Sequence, residues 1–173
     1  MDDLSLSALR RLVAEANAGR WQRGASGSAA GSGGLQAERR LDDLFGTSHT
    51  LAIYGTLAPG QPNHHVVTPL GGEWTEGVVE GDLFSAGWGA ALGYPGLRPR
   101  DGGDDVTVHV LSAPALADAW PALDGFEGPG YQRILVPVFG TRPGPEDERR
   151  PYMVANLYSP IESGPGGQSR DSP

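Results

Sequence analysis

The chain contains no cysteine. This excludes disulfides, a thiolate nucleophile and cysteine-ligated zinc or iron–sulfur centres, and it is compatible with a reducing compartment. No apolar run approaches the roughly 20 residues that a membrane-spanning helix needs. The start, Met1-Asp2-Asp3, lacks the apolar stretch of a secretory signal. Positive charge is scarce, with 13 basic residues against 21 acidic ones and a formal net charge of −8. Such a surface repels phosphate backbones and anionic membranes. The expectation is a soluble, cytoplasmic protein with no nucleic-acid or membrane partner; its oligomeric state has no signature here. Long regular helices are not expected to dominate, because 27 Gly and 15 Pro interrupt the 173 residues. Turns and short strands are favoured.

What remains reads as one domain with extensions. Leu6, Leu9, Val13 and Ala16 recur near helical spacing, which predicts an N-terminal helical extension over 1–23. Its stripe suits docking on the domain or on a partner, and equally a marginal helix at a frayed end. Residues 24–34 carry little apolar bulk and read as a Gly/Ser linker. A short helix over 35–47 follows, with Ala37, Leu41, Leu44 and Phe45 on one stripe and Gly46 as a left-handed cap. Over 48–162, strands are expected at 50–54, 73–84, 106–111, 131–139 and 152–158, with Val106, Val108 and Val110 alternating. One helix interrupts them, opening near Ser112 and Pro114, with Leu116, Trp120 and Leu123 on a common face and Pro121 in its last turn. The fold class is α+β, built on a closed or half-closed barrel that removes unpaired strand edges. Residues 163–173 read as a disordered tail.

Two segments have the composition of a site. Gly55-Thr56-Leu57-Ala58-Pro59-Gly60 breaks the first strand. If Gly55 and Gly60 adopt angles closed to other residues, the amides of Gly55, Thr56 and Leu57 converge on one anion. The loop has neither the lysine nor the spacing of a phosphate loop, and on its own it also fits an ordinary Gly-Pro turn. The second segment runs Leu123-Asp124-Gly125-Phe126-Glu127-Gly128-Pro129-Gly130-Tyr131-Gln132-Arg133. A carboxylate at Glu127, held on that turn against apolar neighbours, would be pushed toward neutrality and serve as both acid and base. A solvated surface glutamate is the bland reading.

Taken together, Tyr54-Gly55-Thr56-Leu57, Leu123-Asp124-Gly125-Phe126-Glu127-Gly128 and Tyr131 resemble the gamma-glutamylcyclotransferase (AIG2-like) family. The continuation Ala58-Pro59-Gly60-Gln61-Pro62-Asn63-His64 is similar to the gamma-glutamylamine cyclotransferase and bacterial branches. Gly81-Asp82-Leu83-Phe84 and Gly93-Tyr94-Pro95-Gly96-Leu97 also match the family pattern. The resemblance covers about residues 50–160 and implies a small mixed β-barrel with a few short helices. It makes 48–162 a gamma-glutamylcyclotransferase-like domain with a cavity at one end. It implies Glu127 as the catalytic acid/base, and Tyr54, Gly55, Thr56 and Leu57 as the substrate-cradling loop, with Tyr131 beside them. The implied reaction closes a small gamma-glutamyl substrate to 5-oxoproline and expels its amine, with no hydrolytic water, no metal and no cofactor.

Two other classes stay open at this stage. A non-catalytic ligand-binding or scaffold module would keep the cavity and show no turnover. A glycoside hydrolase would pair Asp124 with Glu127 across one cleft, about 5–10 Å apart. His64 and His65 lack a third ligand at metal-binding spacing. Trp88, Tyr94 and the His64-His65 pair are the candidate rim residues that would choose the leaving group. Arg133 is expected either in solvent or paired with Asp124, and Asp101, Asp104 and Asp105 read as a solvated acidic loop rather than a calcium site.

Overall fold

A computed structural model describes residues 4–26, 32–85, 93–141 and 150–161. The expected tail at 163–173 and Trp88 lie outside them. Three α-helices, α1 (Leu6–Ser26), α2 (Ser32–Phe45) and α3 (Leu116–Glu127), accompany β1 (Thr50–Ile53), β2 (Glu73–Phe84), β3 (Gly96–Pro99), β4 (Asp104–Ser112), β5 (Tyr131–Phe139) and β6 (Pro151–Pro160). The strands run in the order β3-β2-β4-β1-β6-β5. A further pairing of β2 with β5, at Val78 and Phe139, closes five of them into a barrel and leaves β3 as an extra strand on β2. The barrel is mixed, since β1 runs parallel to β6 while the other pairs are antiparallel. The fold class is therefore the expected α+β barrel. Strand β3 is an addition to the five strands read from sequence; its four residues, Gly-Leu-Arg-Pro, are too short to show a period.

Alternation explains the barrel interior. Val106, Val108 and Val110 of β4 turn inward to meet Ile134, Val136 and Val138 of β5 and Ala155 and Leu157 of β6. A second cluster lies between the barrel and α3, where Leu116, Trp120 and Leu123 pack on Leu51, Ile53 and Tyr158. The third buries Leu9, Val13 and Ala16 of α1 with Ala37 and Leu41 of α2 against Leu135 and Val154. Of the three fates open to the N-terminal stripe, the structure shows docking on the domain.

That docking follows from the barrel's seam. Strand β5 meets β2 at a single register pair, so its edge needs another partner. Asn17 of α1 supplies one: its Nδ2 donates to the Leu135 carbonyl at 2.8 Å, and its Oδ1 accepts from the Leu135 amide at 2.8 Å. One turn on, Arg20 Nη1 donates to the Arg133 carbonyl at 3.3 Å. Arg10 reaches the other side of the seam through Glu80 of β2 at 2.6 Å. Ser5 opens the helix, its Oγ accepting the Ala8 amide at 3.2 Å.

The linker expectation needs correction. Helix α1 continues to Ser26 and α2 begins at Ser32, so both ends of 24–34 are helical; residues 27–31 lie outside the described chain. Within that segment, Gly34 serves packing. A Cβ on Gly34 would sit 2.7 Å from the Gly19 Cα, and one on Gly19 would sit 2.9 Å from the Gly34 Cα. The two helices touch backbone to backbone, which low-bulk composition conceals. Gly34→Ala is expected to destabilise this pair by about 1–3 kcal/mol. A lowered melting temperature with earlier proteolytic cleavage in α1 would show it, and an unchanged melt would mean that the helices separate without cost.

Candidate active site

Glu127 closes α3, and the spacing of that helix explains where it faces. Leu116, Trp120, Leu123 and Glu127 fall at successive offsets of four, three and four residues, so the carboxylate continues the buried stripe. Trp120 anchors the stripe by donating Nε1 to the Ser48 carbonyl at 3.0 Å. Gly128, at φ 78°, ends the helix, and its amide bonds the Asp124 carbonyl at 3.0 Å. Glu127 is thus the last helical residue, not a residue of the following turn as the glycines suggested. Burial pushes its carboxyl up to about 7 from an ordinary value of 4.5. The negative end of the helix acts in the same direction.

The facing loop leaves β1, whose four residues are all buried. It is folded by its own backbone, with Ala58 bonding the Gly55 carbonyl at 3.1 Å and Asn63 bonding the Thr56 carbonyl at 3.0 Å. Two side chains brace it from behind. Asn63 Nδ2 donates to Thr56 Oγ1 at 3.1 Å, and His64 donates Nδ1–H to the Leu57 carbonyl at 3.0 Å. His64 also tilts against Trp74 at 5.3 Å, and His65 turns to the Pro62 carbonyl at 3.1 Å. Both histidines are therefore committed to the loop's frame, and neither lines the cavity. Among the described residues, no three His, Asp or Glu side chains gather as a metal-binding group.

One expectation about this loop fails. Gly60 has a positive φ of 78°, but Gly55 does not, so an anion nest built on a left-handed Gly55 is not formed. A Cβ on Gly55 would meet nothing within 4 Å. What Gly55 contributes is room. Its amide and those of Thr56 and Leu57 make no backbone hydrogen bond among the described residues, which leaves three donors beside that space.

All six residues singled out from the sequence, Tyr54, Gly55, Thr56, Leu57, Glu127 and Tyr131, line one cavity of about 50 Å³. One water needs roughly 10–15 Å³ on this measure, so the space admits a small head group. Tyr94, expected at the rim, lines the cavity with Pro95 and ties the mouth to the loop by donating its hydroxyl to Gln61 Oε1 at 2.6 Å. Sequence reasoning missed Tyr158. It stands opposite Arg133 in the β5–β6 register, and that pairing has no local sequence signal. Its carbonyl accepts the Tyr54 hydroxyl at 2.9 Å, and its own hydroxyl donates to Asp124 Oδ1 at 2.6 Å. Burial raises both tyrosines above their ordinary values, and for Tyr158 the bond to Asp124 adds to it.

A family model described as "Gamma-glutamyl cyclotransferase, AIG2-like" matches residues 51–166. The chain belongs to that family. An AIG2-like protein from Mus musculus is 26% identical, covering 68% of this chain and 80% of that one with a TM-score of 0.49. An uncharacterised protein from Pyrococcus horikoshii is 19% identical over 64% and 76% of the two chains, with a TM-score of 0.45. A uropathogenic E. coli-specific protein is 20% identical over 63% and 77%, with a TM-score of 0.46. No curated protein matches.

The six site residues lie within the span matched by the gamma-glutamyl cyclotransferase model, whereas α1 and α2 precede it. Asp124 stands apart from the site. It accepts from Arg133 Nε and Nη2 at 2.9 and 3.3 Å and from Tyr158, and it lines a different cavity from Glu127. Arg133 in turn covers the Trp120 ring at 4.4 Å. A glycosidase pair must flank one cleft, and lining by separate cavities speaks against that reading for Asp124 and Glu127. No helix among the described residues is long and apolar enough to cross a membrane.

Proposed function

We propose that the protein converts a gamma-glutamyl amine or gamma-glutamyl amino acid to 5-oxoproline and the free amine, with Glu127 as the single acid/base. One observation carries this reading: a half-buried carboxyl with a pKa of about 7 shares a small cavity with the 54–57 loop. Near neutral pH such a group exists in both forms, which is what one residue needs to take a proton and return it. As carboxylate, Glu127 takes the proton that the substrate's α-amine sheds as its nitrogen bonds to the γ-carbonyl carbon. As acid, it hands that proton to the departing nitrogen when the original C–N bond breaks. The five-membered lactam closes without water.

The loop amides supply the electrostatic part, holding the substrate's α-carboxylate or the oxyanion that develops on the γ-carbonyl. Nucleophile and electrophile belong to one molecule, so fixing its folded conformation replaces the assembly of a nucleophilic triad. Tyr54 and Tyr131 shape the wall against which that conformation is pressed.

The test is 5-oxoproline release from a panel of gamma-glutamyl amino acids, gamma-glutamyl amines, gamma-glutamyl-ε-lysine and glutathione. Release with stoichiometric free amine is expected from at least one member, and silence across the panel would remove the catalytic reading. The active substrate's kcat/KM is expected to rise with pH along a limb centred near 7, as Glu127 loses its proton in the free enzyme. A profile flat from pH 5 to 8 would show that Glu127 does not gate the reaction.

A further inference from the structure

A second cavity, of about 560 Å³, shares Tyr131 and Tyr158 with the Glu127 cavity but is completed by the N-terminal helices. Helix α1 contributes Arg20 and Arg23, α2 contributes Glu38, and the barrel side contributes Arg133 and Asp124. Glu38 serves both α1 arginines, accepting from Arg23 and lying 3.4 Å from Arg20 Nε. Asp124 serves Arg133. Two carboxylates thus balance three guanidinium groups, leaving one positive charge in a chain whose formal net charge is −8.

The protein's own acceptors do not fully meet the charge of this cluster. Arg23 Nη1 is buried and has no hydrogen-bond partner. A clamp that only fastened α1 and α2 to the barrel would match its charges, because a buried charged donor without an acceptor is costly. The neighbouring Arg20 is held below its ordinary value, chiefly by burial, with Glu38 opposing and Arg133 and Arg23 adding to it. An anion would relieve that crowding. Beside these charges stand two apolar side chains that face solvent, Trp21 at 47% exposure and Ile161 at 38%. Planar guanidinium forks suit a carboxylate, and an indole beside them suits an apolar substituent.

We infer that this cavity binds a small organic monocarboxylate, its carboxylate meeting Arg23 and Arg20 and its apolar part lying on Trp21 and Ile161. A monoanion matches the single surplus charge, whereas a phosphate dianion would overshoot it and face Glu38 and Asp124. The site depends on α1, which the family span does not include, and its charged groups are separate from Glu127 although the two cavities share Tyr131 and Tyr158.

The experiment titrates the full chain with phenylacetate, phenylacetamide and phenyl phosphate while following Trp21 fluorescence, assigned by its loss in Trp21→Phe. Phenylacetate is expected to give a saturable change that phenylacetamide does not. Arg23→Gln is expected to weaken it about tenfold, as loss of a charge-assisted pair does, and Glu127→Gln to leave it unchanged. Equal responses to acid and amide, no saturable response, or a response that survives Arg23→Gln would each overturn the inference. Tighter binding of phenyl phosphate would overturn the monoanion. If Arg23→Gln loosens α1, as a lowered melting temperature would reveal, the acid–amide comparison on the unaltered protein still decides.

Discussion

Glu127→Gln is expected to lower kcat for 5-oxoproline release by about 10²–10⁴-fold while leaving KM within a few-fold, the loss that removal of a general acid/base produces. In activation free energy this is about 3–5 kcal/mol. Glutamine keeps the shape and polarity of the protonated side chain, so it holds the substrate but cannot carry the proton. A rise in KM with kcat preserved would assign Glu127 to substrate binding instead. The same loss is expected for every leaving group, because the transferred proton serves both the attack and the departure.

The same variant has an independent signature in stability. Glu127 has a folded-state pKa of about 7 against an ordinary value of 4.5. The folded state therefore binds its proton more tightly than the unfolded chain. Stability from this group is fully present below about pH 4.5, declines as pH rises, and is lost above about 7. Glu127→Gln removes a charge that the fold disfavours. It is expected to raise stability on the order of 1–3 kcal/mol at pH 8, and to do nothing at pH 4. Urea melts at the two pH values measure this, and equal effects at both would mean that the carboxylate is solvated. Loss of activity with a gain in stability would mark a residue kept at a cost to the fold.

The stripe of Leu116, Trp120 and Leu123 was legible in the sequence, but the glycines around Glu127 read as a turn and hid that the helix carries the stripe four residues on to it. The strand-breaking loop was legible too, since Gly55 and Gly60 punctuate a β-branched and apolar run. What stayed hidden is what depends on pairing between distant segments. The opposition of Arg133 and Tyr158, which aims Tyr158 at Asp124 and walls the cavity, is a matter of register. Asn17 has the composition of a solvated helical residue and acts as a strand partner, because β5 leaves an edge that only the closed barrel reveals. Gly33 and Gly34 looked like linker for a similar reason: absence of a side chain reads the same whether it permits disorder or close contact.

The polar centre of this architecture is Asn156, and Asn156→Leu is expected to cost about 3–5 kcal/mol. The side chain is 1% exposed on β6. Its Nδ2 donates to the Thr47 and Thr50 carbonyls at 2.6 and 3.2 Å, and its Oδ1 accepts from Arg20 and Arg133 at 2.8 and 3.4 Å. Leucine fills the volume but removes four hydrogen bonds, at about 0.5–1.5 kcal/mol each, although the Thr47 carbonyl keeps the Thr50 amide, Arg20 keeps Glu38 and Arg133 keeps Asp124. For a chain of this length that is a drop on the order of 10 °C in melting temperature. The effect also has a direction. Arg20 ties α1 to Asn156, and Arg133 ties Asn156 to the Asp124–Tyr158 wall, so protease sensitivity should appear first in α1 and turnover should fall before global unfolding. A cost below about 1 kcal/mol would mean that water replaces the amide, and α1 would then be held by Asn17 and its apolar stripe alone.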